Sequence, residues 1–151
     1  MFIQEDELKS AIYQYQVLEI TEADNDITLQ AIQAAEEELR SYLDANNQIR
    51  FRDGRPLLDV DAILSETGAD RNALLVAHCK TIAVWYLIQL SNVDIIYEHV
   101  KERYDRAVTW LKDLGNGTVN ISTLPTVDPS TNPNANQLPF RMGSRQKFNH
   151  E

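Results

Sequence analysis

The chain predicts a mainly α fold: a small helical bundle with a short β-hairpin excursion and a long extended C-terminal arm. Three observations predict it. Between Ala73 and Leu90, 14 of 18 residues are apolar, so most of that helix should be covered by protein. From Ile96 to Leu114, apolar residues recur at three- and four-residue steps and then stop at glycines. From Ile121 onward the sequence becomes rich in Pro, Asn, Ser and Thr. Together these place a helical domain over residues 1–120 and an interaction arm over residues 121–151.

Taken in chain order, Glu5 to Tyr13 reads as a short helix. Ile27 to Asn46 reads as a longer one, with Ile32, Ala35, Leu39, Tyr42 and Leu43 on one side and Glu36, Glu37 and Glu38 partly on the other. Asp26 is placed to satisfy the free amides at the start of that helix. Asp24-Asn25-Asp26 begins like a calcium loop, but Leu29 stands where the loop needs glycine and Ala35 where it needs glutamate. Asp53-Gly54, between short alternating runs in residues 48–58, is the signal of a type I′ hairpin, which Pro56 restricts to an edge. A short helix from about Val60 to Glu66 should end at Gly68, with Asp70 capping the apolar helix that follows.

Within that apolar helix, His78, Lys80, Thr81 and Gln89 interrupt the run. A lysine near the centre of a bilayer span is costly, so the helix reads as core and no membrane partner is expected. Ser91 and Asn92 break the pattern, and Asp94 is placed to cap the next helix. Its apolar stripe is Ile96, Val100, Tyr104, Ala107, Leu111 and Leu114, while Lys101 with Asp105 and Glu102 with Arg106 form i,i+4 pairs. Gly115 and Gly117 supply the positive-φ positions at which helices end. The short break makes the two helices antiparallel neighbours.

Composition bounds the function classes without naming one. Cys79 is the single cysteine, which excludes an internal disulfide framework, and the start MFIQEDELK lacks the features of a signal peptide. The expected setting is a reducing cytoplasm. The net charge of −9 is unevenly spread: residues 1–47 carry 11 acids and 2 bases, whereas residues 73–120 carry 5 of each. A protein that grips phosphate backbones needs a cationic footprint, and this balance argues against one.

Catalytic and metal chemistry finds no constellation in the sequence. His78 and Cys79 are adjacent, but consecutive helical residues point about 100° apart, so they make a poor nucleophile and base; Cys79 reads as a small core residue. His99 could approach His78 across the helix pair, yet two histidines make a poor metal site. Glu36, Glu37 and Glu38 read as a solvated face. No Gly-rich phosphate loop, G-x-S-x-G or zinc-ligand spacing occurs. The expectation is no enzyme, no metal and no cofactor.

The arm offers partner-binding candidates instead. Pro125, Pro129 and Pro133 recur every four residues, and the tip interleaves Phe140, Arg141, Arg145, Lys147 and Phe148. Aromatics among bases can bind single strands, but they serve equally as anchors in a protein groove, where aromatic and arginine side chains are favoured. A segment with so little apolar content is expected to be held by neighbouring chains rather than by its own domain.

These residues carry a resemblance. A-x(5)-A-x-x-Y-L (Ala77, Ala83, Tyr86, Leu87) followed by V-K-E-R-Y-D-R-A-x-x-x-L-K-D-L-x-x-G (Val100 to Gly117) resembles the Mu-like prophage head-tail connector (adaptor) proteins. The upstream EEELRSYLDA, Glu36 to Ala45, is similar to that family's first core helix, and the likeness covers roughly residues 1–120. The chain departs from the pattern in a longer stretch from Arg52 to Arg71 and a longer ending after Ile121. The resemblance implies a structural subunit in the neck of a tailed-phage virion, assembled in the host bacterial cytoplasm. It would form a ring, usually of twelve copies, below the portal protein, meet a tail or second neck protein, and extend a channel in which DNA is only passing cargo. The alternative reading is a small acidic cytoplasmic helical binding module, an inhibitor or adaptor without catalytic activity.

Overall fold

The computed structural model describes residues 1–21, 24–48, 55–90 and 97–128, and its centre is built from three apolar stripes. The helices are α1 (Gln14–Ile20), α2 (Asn25–Asn47), α3 (Val60–Ser65), α4 (Ala73–Leu90) and α5 (Tyr97–Asn116), with 3-10 helices at Glu5–Ser10 and Gly68–Asp70. Ile32, Ala35, Leu39 and Leu43 of α2 meet Leu75, Cys79 and Ile82 of α4 and Leu111 and Leu114 of α5 in one buried cluster. Stacking of His78 on Trp110 and of Trp85 on Tyr104 fixes α4 and α5 as antiparallel, since residue numbers rise on one helix as they fall on the other.

Caps decide where the helices begin, and two differ from the sequence reading. Asp24, not Asp26, caps α2, its carboxylate accepting from the Asp26 amide. Asn72, not Asp70, starts α4: its side-chain oxygen accepts from the amides of Leu74 and Leu75 at 3.0 and 3.2 Å. Asp70 instead belongs to the preceding 3-10 helix. Both substitutes stand one residue before the first helical position, where a short side chain reaches the free amides best. Asp59 caps α3 by accepting from Ala62 N. Asp94 lies outside the described residues.

The expected helix over Glu5 to Tyr13 is a 3-10 helix that stops at Ser10, and α1, which begins at Gln14 beyond the expected span, is an element the sequence does not signal. Ile12, Val17 and Ile20 pack there against Ala31 and Leu87 in a second small cluster, an apolar contact too sparse in sequence to show as a period. Gly117 has φ +78° and ends α5 as expected, but Gly115 is helical. Its role is close approach: a Cβ there would sit 3.0 Å from the Tyr42 carbonyl oxygen and 3.3 Å from Ala45 Cβ. α5 therefore lies tightly along α2.

The mainly helical class stands; the hairpin does not. Its turn, Asp53-Gly54, lies outside the described residues. On the described flank, Leu58 forms an isolated antiparallel bridge with Thr126, and Asp59 N donates to Pro125 O at 3.0 Å while Val127 N donates to Leu57 O at 2.9 Å. On its other side Leu58 exchanges two hydrogen bonds with the Asn47 side-chain amide. An extended segment always needs partners for its backbone, and here the start of the arm and one amide supply them. Residues 121–128 thus lie on the bundle, with Leu124 only 5% exposed. Arg55 then clamps the end of α5, donating to the carbonyls of Gly115 and Asn116 and to Asn46 Oδ1, a favourable place for a cation.

The N-terminus is held by charge. Phe2 and Ile3 are buried, and both of their amides donate to Glu36 Oε1. Arg71 donates to Phe2 O at 2.6 Å and to both carboxylate oxygens of Glu7. That bond holds the Glu7 carboxyl down to about 2, against 4.5 ordinarily. An unfolded chain binds this proton near pH 4.5 and the folded one only near pH 2, so the contribution is complete above about pH 4.5 and is lost as pH falls towards 2. Arg71→Met is expected to remove about 2 kcal/mol at neutral pH, discounted for partial exposure, and to flatten the acid decline. Thermal unfolding across pH 2–6 checks this; parallel curves for the two proteins would contradict it.

Candidate functional site

Two polar assemblies stand out from the apolar bundle. In the first, Glu38 of α2 sits among Tyr42 on its own helix, Tyr86 on α4 and Tyr104 on α5. Glu38 Oε1 accepts from Tyr104 Oη at 2.9 Å and from Tyr42 Oη at 3.2 Å, and Tyr86 is the third phenol whose pKa this carboxylate raises. Burial first, then the Glu38 carboxylate, pushes the Tyr86 phenol up to about 12 and the Tyr104 phenol further up. Such groups stay protonated and act as fixed donors, which ties three helices to one carboxylate.

The Glu36–Glu38 run is therefore not one solvated face. Glu36 holds the N-terminus, Glu38 holds the tyrosines, and Glu37 is exposed. Three consecutive helical residues span about 200° of the circumference, so a run of this length divides between faces.

The second assembly is a cleft of about 720 Å³ between the N-terminal segment, the outer side of α4 and the first turns of α5. Ile12, Ile20, Val84, Ile88 and Val100 give it an apolar floor. Lys9, Lys80, His99 and Arg103 line it too, and Lys80 Nζ donates to Ser10 Oγ at 3.2 Å. Among its described lining residues none is acidic, although the chain carries a net charge of −9. An apolar floor with cationic edges suits an occupant that is apolar and acidic at once.

The residues weighed for chemistry are dispersed. Burial pushes the Cys79 thiol up to about 12 and lowers the His78 imidazole, so neither is primed as nucleophile or shared proton carrier at neutral pH. His78 lies against Trp110, with ring centroids 4.6 Å apart. His99 is eleven residues earlier on α5, roughly 16 Å along the axis, and lines the cleft instead. Among the described residues no three His, Cys, Asp or Glu side chains come together as a metal group.

Of the arm candidates, Pro125 lies on the bundle, its carbonyl accepting from Asp59 N. Pro129, Pro133, Phe140, Arg141, Arg145, Lys147 and Phe148 lie outside the described residues. The cleft itself escaped sequence reasoning because its charges come from three separate elements. Lys80 alone left a signal, as an interruption of the apolar run; Lys9 and Arg103 are unremarkable in sequence.

A family model described as Bacteriophage Mu, Gp36 matches residues 2–139. No curated protein and no solved structure matches the chain.

Proposed function

Because the chain belongs to the Bacteriophage Mu, Gp36 family, we propose that it is a structural subunit of the head-tail connector, without catalytic activity, forming a ring below the portal. The observation that carries the reading is α4. This helix is long and apolar enough to cross a membrane; seven of its 18 residues are buried within the chain and most of the others are half-buried. Leu74 and Leu90 are 44% and 46% exposed at its two ends, and the cleft runs along its outer side. The apolar side chains left exposed at its two ends are places where neighbouring copies can pack, as they do in closed homo-oligomers.

In this reading the copies assemble with one another, the number in the ring being set by the rotation between them, and the ring meets the portal on one side and a tail or second neck protein on the other. DNA passes through without being held, in keeping with the acidic balance. The arm, residues 121–151, binds an adjacent subunit or the next ring, with Phe140, Arg141, Arg145, Lys147 and Phe148 as its anchors. The subunit resides in the virion neck after assembly in the host cytoplasm.

Native mass measurement and negative-stain imaging of the purified chain test this. The expected species is a closed ring at many multiples of 17.3 kDa. A monomer or dimer at every concentration, and still so with the portal protein added, would overturn it in favour of a small acidic binding module.

A further inference from the structure

Tyr13, Tyr15 and Leu18 stand out from the surface at 69%, 63% and 48% exposure. The two tyrosine rings stack on each other, with centroids 5.7 Å apart and 21° between their planes, so they form one aromatic platform. Leu18, three residues after Tyr15 and on the same side of α1, leads from that platform into a groove of about 310 Å³ against the Glu5–Ser10 3-10 helix, which Glu5 and Asp6 also line. Glu19 is exposed beside Leu18. Lys9 is the single cation among the described residues of the groove, and no ion pair among the described residues engages Glu5, Asp6 or Glu19. The surface is aromatic, apolar and acidic.

The tip of the chain has the complementary composition. From Phe140 to Phe148 it carries Arg141, Arg145 and Lys147 between two phenylalanines, and no acid. We propose that this tip, from a neighbouring copy of the chain, docks on the Tyr13–Tyr15 platform and the groove beside it. A guanidinium lies over the tyrosine faces, where a cation is attracted to the ring. The phenylalanines cover Leu18, and the remaining bases meet Glu5, Asp6 and Glu19. The inference rests on the reading of the arm as a clasp between subunits, and it gives that arm a receiving surface.

The bundle separates the giving end from the receiving end. The arm passes the start of α4, where Asn72 Nδ2 donates to Thr123 Oγ1 at 3.4 Å. α1 sits towards the other end of that helix, Ile20 packing against Leu87. From Asn72 to Leu87 the helix rises about 22 Å. The stretch from Asp128 to Phe140 reaches up to about 40 Å when extended, about the width of a domain of this size. Each copy can therefore give at one end and receive at the other, a heterologous contact that closes into rings or runs on as filaments. The cleft on the far side of Tyr13 would repel the same tip with Lys80 and Arg103, and a nucleic-acid backbone would be repelled by the acids of the groove.

The test is a charge swap in the full-length protein, with folding of each variant checked by circular dichroism. Glu5→Lys with Glu19→Lys reverses the receiving surface, and Arg141→Glu with Arg145→Glu reverses the tip. Each pair alone is expected to weaken assembly by about tenfold or more, read by sedimentation across a concentration series. An equal mixture of the two variants should assemble again, because each tip then finds an opposite charge on the other chain. Should the first pair unfold the chain, Glu5→Gln with Glu19→Gln gives the same reading at smaller amplitude. Assembly by the wild type that neither reversal weakens would overturn this contact while leaving the ring reading standing. Loss with the tip pair alone would overturn the platform as its receiver, and loss with the Glu5 and Glu19 pair alone would overturn the tip as the occupant. Recovery in a chain carrying all four changes but not in the mixture would place the contact within one copy and overturn the exchange between copies. A wild type that stays monomeric would strike the ring reading and this contact together.

Discussion

Ending the chain after Asn120 is expected to cost about 2–4 kcal/mol of folding stability relative to ending it after Asp128. Leu124 is 5% exposed within the main core, Ile121 packs against that core, and two backbone hydrogen bonds join Asp59 to Pro125 and Val127 to Leu57. Burying one leucine contributes about 1.5–3 kcal/mol and each such bond about 1 kcal/mol, partly offset by the entropy of ordering eight residues. A domain of this size has about 5–15 kcal/mol in total, so the shorter truncation product should unfold at visibly lower denaturant. Urea titration of the two truncated proteins beside the full chain measures the difference. Coincident midpoints for the Asn120 and Asp128 endings would show that residues 121–128 contribute nothing to the fold.

That prediction also shows what the sequence could not reveal. Proline spacing and low apolar content mark residues 121–151 as one segment, yet Leu124, with Ile121 beside it and two backbone hydrogen bonds, holds its first eight residues on the bundle. Composition averages over windows, and one buried side chain does not move the average. The three long helices were legible because their apolar residues repeat at helical spacing over several turns, which is the strongest local signal a sequence holds.

Helix starts were less legible. Asp24 and Asp26, or Asp70 and Asn72, are equally good capping chemistry, and which one is used depends on where tertiary packing lets the first turn begin. No sequence feature distinguishes Gly117, which ends a helix, from Gly115, which admits a neighbouring backbone. The cleft was the least legible feature of all. Lys9, Lys80 and Arg103 come within one surface only after three elements have packed, and the family resemblance gave no residues for it.

Glu38→Ala should produce the largest effect of any single charged-residue change, about 2–3 kcal/mol of lost stability at neutral pH. The substitution removes the shared acceptor of Tyr42 and Tyr104 and the charge that faces Tyr86, and the freed hydroxyls must then turn to water from a half-buried position. It also changes the alkaline behaviour. Because these phenols are raised in the folded state, they stay protonated after an unfolded chain's tyrosines have ionised near pH 10. Their contribution is complete below about pH 10 and is lost as pH rises towards about 12, where Tyr86 gives up its proton. Removing Glu38 withdraws the bond and the repulsion of its charge but leaves burial in place, so the late phenols should move part of the way back towards 10. Ultraviolet titration of the six tyrosines reads this directly, with Tyr104→Phe as the comparison that deletes one late phenol and keeps the carboxylate. If Glu38→Ala leaves the late class of phenols where it is in the wild type, the carboxylate does not organise them, and the join between α2, α4 and α5 is held by apolar packing alone.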